Sequence, residues 1–377
     1  MRIAIFTDTF LPSKNGVVTS IINLSTNLAK KGHKILIFTS SYKKQYRVDL
    51  GKNIVVERYK PLYMTKYKEF HTTFPNPAIL GKIIKFKPNI IHSHHPYLLG
   101  WQAVFCSKIF GIPIIGTYHT IMNDFLGYVP LICKFSRTKL MQEVTWEYTR
   151  RYYNSCDIVT TPSTAMKKEL VKHGIKHIIS ISNGVDLNKF YPRNITKDGK
   201  TLLYVGRVGY EKNVDVIIKA FKLLIRKIPD AKLVIVGSGP DLKKLKELAA
   251  DCRSIKFLGP VDHEDLPNVY SMADAFVTAS TIETEGLVIL EAMACGLPII
   301  GVNVLAIPTI VKHGRNGYVA QAYNEKQMAN YMEMILRNSC VREKFGRHSS
   351  EIVKKFSLTD KIDQMEKIYN MLVQKNN

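Results

Sequence analysis

Short apolar runs alternate along this chain with longer stretches whose apolar positions recur at helical spacing. The first run is Arg2-Ile3-Ala4-Ile5-Phe6-Thr7. After the loop 8–16, the pattern predicts a helix over about 17–31, with Ile21, Ile22, Leu24, Leu28 and Ala29 as its inner stripe. Gly32 stops it, and 34–39 is the next strand. Strand, helix and strand in this order make a crossover, the start of a parallel sheet covered on both faces. Further strands are expected at 89–92, 113–117, 158–161 and 178–180.

The alternation breaks at the polar, Gly/Pro-containing stretch 191–200 and then resumes. The second series has strands at 202–206, 233–237, 255–258, 275–277 and 298–301. Two of them end in Val-Gly, a backbone that lets a phosphate or another chain segment come close. A closing helix over about 358–373 carries Ile362, Met365, Ile368, Tyr369 and Leu372 on one stripe. The expected fold is therefore α/β, with two doubly wound Rossmann-like domains, 1–190 and 191–357, and a cleft between them. Residues 358–377 are expected to pack back on the first domain, across the junction. Ligand sites belong at the C-terminal ends of the parallel strands.

Charge changes this picture more than composition does. The 377 residues hold 54 Lys+Arg against 31 Asp+Glu, a net charge of +23. Residues 1–190 hold 27 Lys+Arg against only 10 Asp+Glu, so most of the excess lies in the first domain. A one-sided basic surface suits a polyanion, either nucleic acid or the anionic face of a membrane. No recognition-helix or RNP-type motif supports nucleic acid, so none is expected as a partner. Around residues 66–87, Lys66, Lys68, Lys82, Lys85 and Lys87 accompany Tyr67, Phe70, Phe74, Ile79, Leu80, Ile83, Ile84 and Phe86. A second such stretch holds Lys134, Arg137, Lys139, Trp146, Arg150, Arg151, Tyr152 and Tyr153. Cations beside apolar and aromatic groups suit an interfacial segment on anionic lipid. The six cysteines show no CxxC spacing, which fits a reduced cytosolic compartment. No apolar run is long enough to cross a bilayer.

No G-x-G-x-x-G follows the first strand and no G-x-x-x-x-G-K-[ST] occurs, so the NAD-dehydrogenase and P-loop readings lose their main support. Arg207 and Lys212 follow the first strand of the second domain, where a guanidinium and an ammonium can neutralise a diphosphate. Glu283 and Glu291 bracket a short helix that opens at Gly286 and ends at Gly296-Leu297-Pro298. On geometry alone the two acids are either a cap and a surface charge or partners for ligand hydroxyls. Gly16 opens the first helix of the first domain, whose N–H groups favour an anion. His119 follows a strand end, with Asn123, Asp124 and Tyr128 close behind. The run His92-Ser93-His94-His95 has no companion carboxylate, and no D-x-D is present, so no metal site is expected.

Arg207…Lys212, Glu283-x₇-Glu291 with Gly286-Leu287-Val288, and Glu291-Ala292-Met293-Ala294-Cys295-Gly296-Leu297-Pro298 together resemble the retaining glycosyltransferases of family 4, across nearly the whole chain. That family has the GT-B fold, with the donor held mainly by the second domain and the acceptor by the first. The resemblance implies that Arg207 and Lys212 hold the diphosphate, that Glu291 binds the ribose, and that Glu283 with Gly286, Leu287 and Val288 faces the sugar. It implies that His119 bonds the transferred sugar, that Gly16 approaches phosphate or sugar, and that the backbone around Val261 reads the base. Arg207, Lys212, His119 and Glu283 are thus the expected catalytic group. Front-face displacement with retention needs no glycosidase-like carboxylate pair. Removal of Arg207 is expected to cost far more in turnover than in folding.

Phe6-Thr7-Asp8-Thr9-Phe10-Leu11-Pro12…Asn15-Gly16-Val17 and Thr117-Tyr118-His119-Thr120 are similar to bacterial diacylglycerol glucosyltransferases, with departures at 94–100 and at Asn123. This implies a nucleotide-sugar donor (UDP-glucose first), no permanently bound cofactor, and a lipid acceptor such as 1,2-diacylglycerol. It also implies a peripheral place on the cytoplasmic face of the cell membrane. The alternatives are another acceptor (phosphatidylinositol, a polysaccharide or a small sugar), a sugar-nucleotide epimerase, or a non-enzymatic lipid- or nucleic-acid-binding module.

Overall fold

The computed structural model describes residues 1–13, 15–41, 48–63, 71–119, 121 and 138–376. They fall into two compact units, 1–183 with 359–377, and 184–358. The stretch 191–200 is thus not where the chain crosses between them. It belongs to the second unit, where Arg193 bonds Asn268 and the ring of Pro192 lies against Gly296. Just past the crossing, Val185 pairs in parallel with Ser357 and binds Phe356 O at 2.8 Å.

The first unit is built on a parallel sheet ordered β3-β2-β1-β6-β7-β8-β9. Its strands are β1 Arg2–Thr7, β2 Lys34–Ser40, β3 Ile54–Tyr59, β6 Ile90–Ser93, β7 Ile114–Thr117, β8 Ile158–Thr161 and β9 Ile178–Ser180. A small antiparallel pair, β4 Leu62–Tyr63 and β5 His71–Thr72, stands apart. Central strands are buried on both faces, which is why they read as an unbroken apolar run in β1 (residues 3–6) and open on an apolar pair in β6, β7 and β8. Edge strand β3 buries only its first residue and escaped that signal. The helix Gly16–Lys30 starts where Asn15 accepts from Val18 N at 3.0 Å, a side-chain cap.

The closing helix Leu358–Asn376 packs on this first unit. Glu366 accepts from Lys31 at 2.6 Å and pairs with His33 at 2.7 Å, while buried Tyr369 reaches His92 Nδ1 at 2.6 Å. Two surface expectations need correction. In the stretch 66–87, Ile79 and Ile83 belong to the core, and residues 66, 67, 68 and 70 lie outside the described residues. Phe74 and Ile84 are the exposed apolar groups, at 64% and 57%. In the helix Lys139–Tyr153, Tyr152 and Tyr153 are core residues, because helical spacing turns them toward the sheet. Trp146 stacks on His173 at 3.7 Å, and Arg150 and Arg151 both pair with Glu147. The outward apolar groups are instead Leu140 and Val144. Lys134 and Arg137 lie outside the described residues.

The second unit repeats the parallel plan in the order β12-β11-β10-β13-β14-β15. These strands are β10 Thr201–Val205, β11 Lys232–Val236, β12 Ile255–Gly259, β13 Ala275–Val277, β14 Ile299–Val302 and β15 Gly317–Ala320. The Val-Gly ends of β10 and β11 serve each other: a Cβ on Gly237 would sit 1.9 Å from Gly206 O. Glycine is required there by the meeting of two strand ends. This keeps the β10 loop tight, with Val208 N bonded to Ser238 O at 2.9 Å.

Candidate active site

In the second unit, β10 leads through Gly206 into Arg207 and then a single tight turn, Tyr210–Lys212. Asn213 closes that turn with φ 49°, and its Nδ2 donates to Ala279 O at 3.1 Å. Thr281 N bonds Glu211 O at 3.2 Å. The β10 loop and the loop after β13 are therefore stitched together, although some seventy residues separate them in sequence. This brings Lys212 Nζ to Glu283 Oε1 at 2.6 Å and to Ser280 Oγ at 3.5 Å. Arg207 Nη2 pairs with buried Glu211, and the Tyr204 hydroxyl holds the Arg207 carbonyl at 2.8 Å. Burial works against a charged Glu283, but Lys212's charge and hydrogen bond outweigh it and hold the carboxyl below its ordinary range.

Three residues beyond Glu283, Gly286 adopts φ 88° and opens the helix Leu287–Ala294. A Cβ there would lie 2.8 Å from Ile289 Cδ1, so both space and backbone call for glycine. The helix amides of Leu287 and Val288 precede the first intrahelical bonds, Ile289 N and Leu290 N to Gly286 O. Glu291 sits one turn on, only 6% exposed. Its Oε2 accepts from the Tyr270 hydroxyl at 2.8 Å and its Oε1 meets His263 Nε2 at 3.2 Å. Lys189 Nζ reaches His263 Nδ1 at 2.8 Å and Glu264 at 2.6 Å. Val261 lies two residues before His263, just past β12, and packs partly buried against the core. The expected residues thus form two groups, Arg207–Lys212–Glu283 and Gly286–Leu287–Val288–Glu291. Glu211, His263, Tyr270 and Lys189 complete them without having been singled out. The spacing of Arg207 and Glu211, opposite charges four apart, was a usable signal.

The first unit has a different chemistry. His119 stands just past β7, 8% exposed, with Nε2 2.8 Å from His94 Nδ1. Beneath them His92 bonds Thr117 Oγ1 at 2.5 Å, and its ring lies 4.1 Å from that of His94. Burial pushes His92 down to about 3 and holds His94 and His119 well below the usual histidine range, so all three are neutral. They line a small cavity of about 30 Å³ with Ser20, Thr160, Asn183 and Lys361 among its walls. Gly16 begins the helix that also carries Ser20 and is exposed there. Asp8, at the end of β1, is buried, and its carboxyl is pushed up to about 7 by that burial against the opposing bond from Thr72. Asn123, Asp124 and Tyr128 lie outside the described residues. Among the described residues no group of three or more His, Cys, Asp or Glu could hold a metal ion, and no helix is long and apolar enough to cross a membrane.

Residues 14–189 match the family profile described as Glycosyltransferase Family 4, and residues 187–351 match that described as Glycosyl transferases group 1. The chain is 32% identical to the alpha-monoglucosyldiacylglycerol synthase of Streptococcus pneumoniae over 321 residues, 80% of this chain and 70% of that one. The protein of the same name from Acholeplasma laidlawii is 24% identical over 397 residues, 100% of this chain and 98% of that one. A GDP-mannose-dependent alpha-mannosyltransferase of Corynebacterium glutamicum is 28% identical over 339 residues, 87% and 78% of the two chains. In fold, the chain is similar to sucrose-phosphate synthase from Thermosynechococcus elongatus (TM-score 0.81, 22% identity, 99% of each chain). It is also similar to Anabaena HepE in complex with UDP-glucose (TM-score 0.77, 16% identity, 99% and 100%). The two parallel-sheet units are those of the GT-B fold.

Proposed function

The chain belongs to glycosyltransferase family 4, and on that premise we propose that it moves a hexose, glucose first, from a nucleotide-diphosphate sugar to a membrane lipid such as 1,2-diacylglycerol, with retention at the anomeric carbon. The observation that carries this reading is the stitching of the β10 loop to the loop after β13, which sets Arg207, Lys212 and Glu283 side by side. A guanidinium has five N–H donors, so its pairing with Glu211 does not exhaust Arg207. Arg207 and Lys212 take the diphosphate, and Glu283 takes a sugar hydroxyl. The amides of Leu287 and Val288, beside Gly286, meet the same sugar. From the first unit, His119 supplies a neutral hydrogen-bonding imidazole to the sugar and Gly16 a helix start open to phosphate or sugar. Glu291 takes the ribose, and the backbone at Val261 the base. Those ten positions are the proposed site.

In the reaction, the acceptor oxygen forms its bond to the anomeric carbon on the face from which the diphosphate leaves. The carbon–phosphate oxygen bond breaks, the electron pair stays with the diphosphate, and a diphosphate oxygen receives the acceptor's proton. Arg207 and Lys212 stabilise the negative charge that grows on the leaving group, the term that dominates such transfers. Neutral His119 suits its own task, a hydrogen bond to a sugar hydroxyl, because an uncharged imidazole offers one donor and one acceptor nitrogen.

The lipid acceptor is supported by the names of two relatives and by the surface of the first unit. Phe74 stands exposed, Ile84 stands exposed on the helix that also carries Lys82 and Lys85, and Leu140 and Val144 stand exposed on the helix that begins at Lys139. Such faces suit peripheral docking on an anionic, cytoplasmic membrane surface. The test is a donor screen with diacylglycerol in mixed anionic vesicles, reading the lipid product by mass. A glucosylated diacylglycerol from UDP-glucose is expected, and Ile84→Glu with Val144→Glu is expected to weaken vesicle binding about tenfold. Glycosylation of a soluble sugar alone overturns the lipid assignment. The mannosyltransferase relative favours GDP-mannose as the second donor to screen.

A further inference from the structure

The Lys189–His263–Glu291 chain has a direction set by chemistry. An ammonium carries only donors, so the 2.8 Å contact makes His263 Nδ1 an acceptor from Lys189 Nζ. The neutral ring must then carry its proton on Nε2, where it points to Glu291 Oε1 at 3.2 Å. Tyr270 donates to the other oxygen at 2.8 Å. Lys189 is held in turn by Glu264 at 2.6 Å and lies 5.8 Å over the Phe190 ring. The same Phe190 ring meets His263 edge-on at 5.3 Å and Tyr270 at 6.0 Å.

Glu291 is therefore braced on both oxygens by donors from different parts of the unit, while its side chain is only 8% exposed. Each carboxylate oxygen keeps a second lone-pair direction, so the brace leaves Glu291 a fixed acceptor. A fixed acceptor of this kind welcomes O–H donors and repels carbonyl, phosphate or fluorine. A vicinal diol matches it, two hydroxyls against one carboxylate.

Resting on the reading of Glu291 as the ribose partner, we infer that His263, its ring proton placed by Lys189, is the positioning residue that aims Glu291 at the ribose diol and gives the donor site its preference for ribonucleotides over deoxyribonucleotides. Glutamine is the informative replacement, because its amide can accept from Lys189 and donate to Glu291 from one side chain. Leucine can do neither.

The experiment measures binding of UDP, with GDP as second probe, and of the matching 2′-deoxynucleoside diphosphate to the full chain by calorimetry. The variants are His263→Leu, His263→Gln, Lys189→Met and Glu291→Ala. In His263→Leu, Kd for the ribonucleotide should rise about tenfold, the value of a lost charge-assisted hydrogen bond. The deoxynucleotide should change less than threefold, so the ribose preference narrows. His263→Gln should recover most of the loss. Nitrogen-15 shifts of His263 should show the Nε2–H tautomer in the parent and a mixture in Lys189→Met. Unchanged ribose preference in His263→Leu, or no recovery in His263→Gln, overturns the positioning role. If Glu291→Ala itself leaves ribose preference unchanged, or neither nucleotide binds the parent chain, the underlying ribose assignment falls instead.

Discussion

The two units share a parallel-sheet plan but treat ionisable groups at their strand ends in opposite ways. The second unit keeps its charges and pairs them: Arg207 with Glu211, Lys212 with Glu283, and Lys189 with Glu264. The first unit removes charge, with His92, His94 and His119 neutral in the ground state and Asp8 pushed up to about 7. A site that binds a diphosphate needs cations held ready, and paired carboxylates hold them in place until the anion arrives. A site for hydroxyls gains from neutral donors and acceptors whose directions are set by packing. The contrast is one of electrostatic task, since the folds that carry the groups are alike.

The largest effect is expected from Arg207→Ala, which should lower transfer at least about a thousandfold if the cation stabilises the leaving group. The ion pair qualifies the expectation that folding is spared. Glu211 is 3% exposed, so removing Arg207 leaves its buried carboxylate less well compensated and should also cost stability, by up to ~3 kcal/mol. The double variant Arg207→Ala, Glu211→Gln should regain stability in urea unfolding without regaining transfer. Recovery of both would make Arg207 a structural partner only and would break the comparison on the charged side.

Next in size is Glu283→Ala, expected to lower transfer by about a hundredfold or more. Glu283→Gln is the sharper variant. It keeps a hydroxyl partner while cancelling the charge that pairs with Lys212. Transfer near the parent level in Glu283→Gln would mean that hydroxyl recognition matters and the ion pair does not. Near-normal turnover in Glu283→Ala would remove Glu283 from the sugar site.

Much of this was legible in the chain and some was not, for physical reasons. Strands buried on both faces announce themselves as apolar runs, so β1, β2, β10 and β11 were readable, whereas half-exposed β3 and short edge strand β15 were not. The Gly286 helix start was readable because its glycine is forced by a positive φ and by contact with Ile289. Partner choice was not. Lys212 meets Glu283 only because Asn213 and Thr281 tie two distant loops together. Tyrosine is as common in cores as at interfaces, so Tyr152 and Tyr153 could be placed on either side until the sheet was seen. Asp8 reads as an ordinary loop acid, and only its burial reveals the shifted carboxyl.

The neutral side of the comparison can be broken by acid. The chain's two tryptophans, Trp101 and Trp146, both lie in the first unit, so their fluorescence follows its unfolding alone. Histidines whose folded pKa is depressed stay neutral in the fold while the unfolded chain takes up protons below about 6.5. Their stabilisation is present above that pH and is lost as pH falls toward the depressed values. The tryptophan-detected urea midpoint should therefore drop between pH 6.5 and 5, as the unfolding free energy falls by up to ~1.4 kcal/mol per pH unit for each imidazole. A flat midpoint would mean that the three rings are hydrated and charge freely.

Asp8 runs the other way, and its variant is the smallest but cleanest test. Its folded pKa of about 7 lies above the ordinary aspartate value of 3.8, so the folded state binds the extra proton. The stability this gives is fully present below the unfolded value and disappears as pH rises through 7. Above that, the fold must bury a carboxylate whose Oδ2 has no hydrogen-bond partner among the described residues. Asn resembles the protonated form at every pH and still accepts from Thr72, the bond that ties β5 to the end of β1. Asp8→Asn should thus have little effect at pH 4, grow more stabilising up to about pH 7, and level off above it, at on the order of 1–2 kcal/mol after relaxation. The curve has to oppose the histidine slope over pH 5 to 6.5, so the variant should steepen the acid loss seen by tryptophan fluorescence. A pH-independent difference, or destabilisation that grows toward pH 8, would show that Asp8 is charged and paired in the fold, and the first unit would then handle charge as the second does.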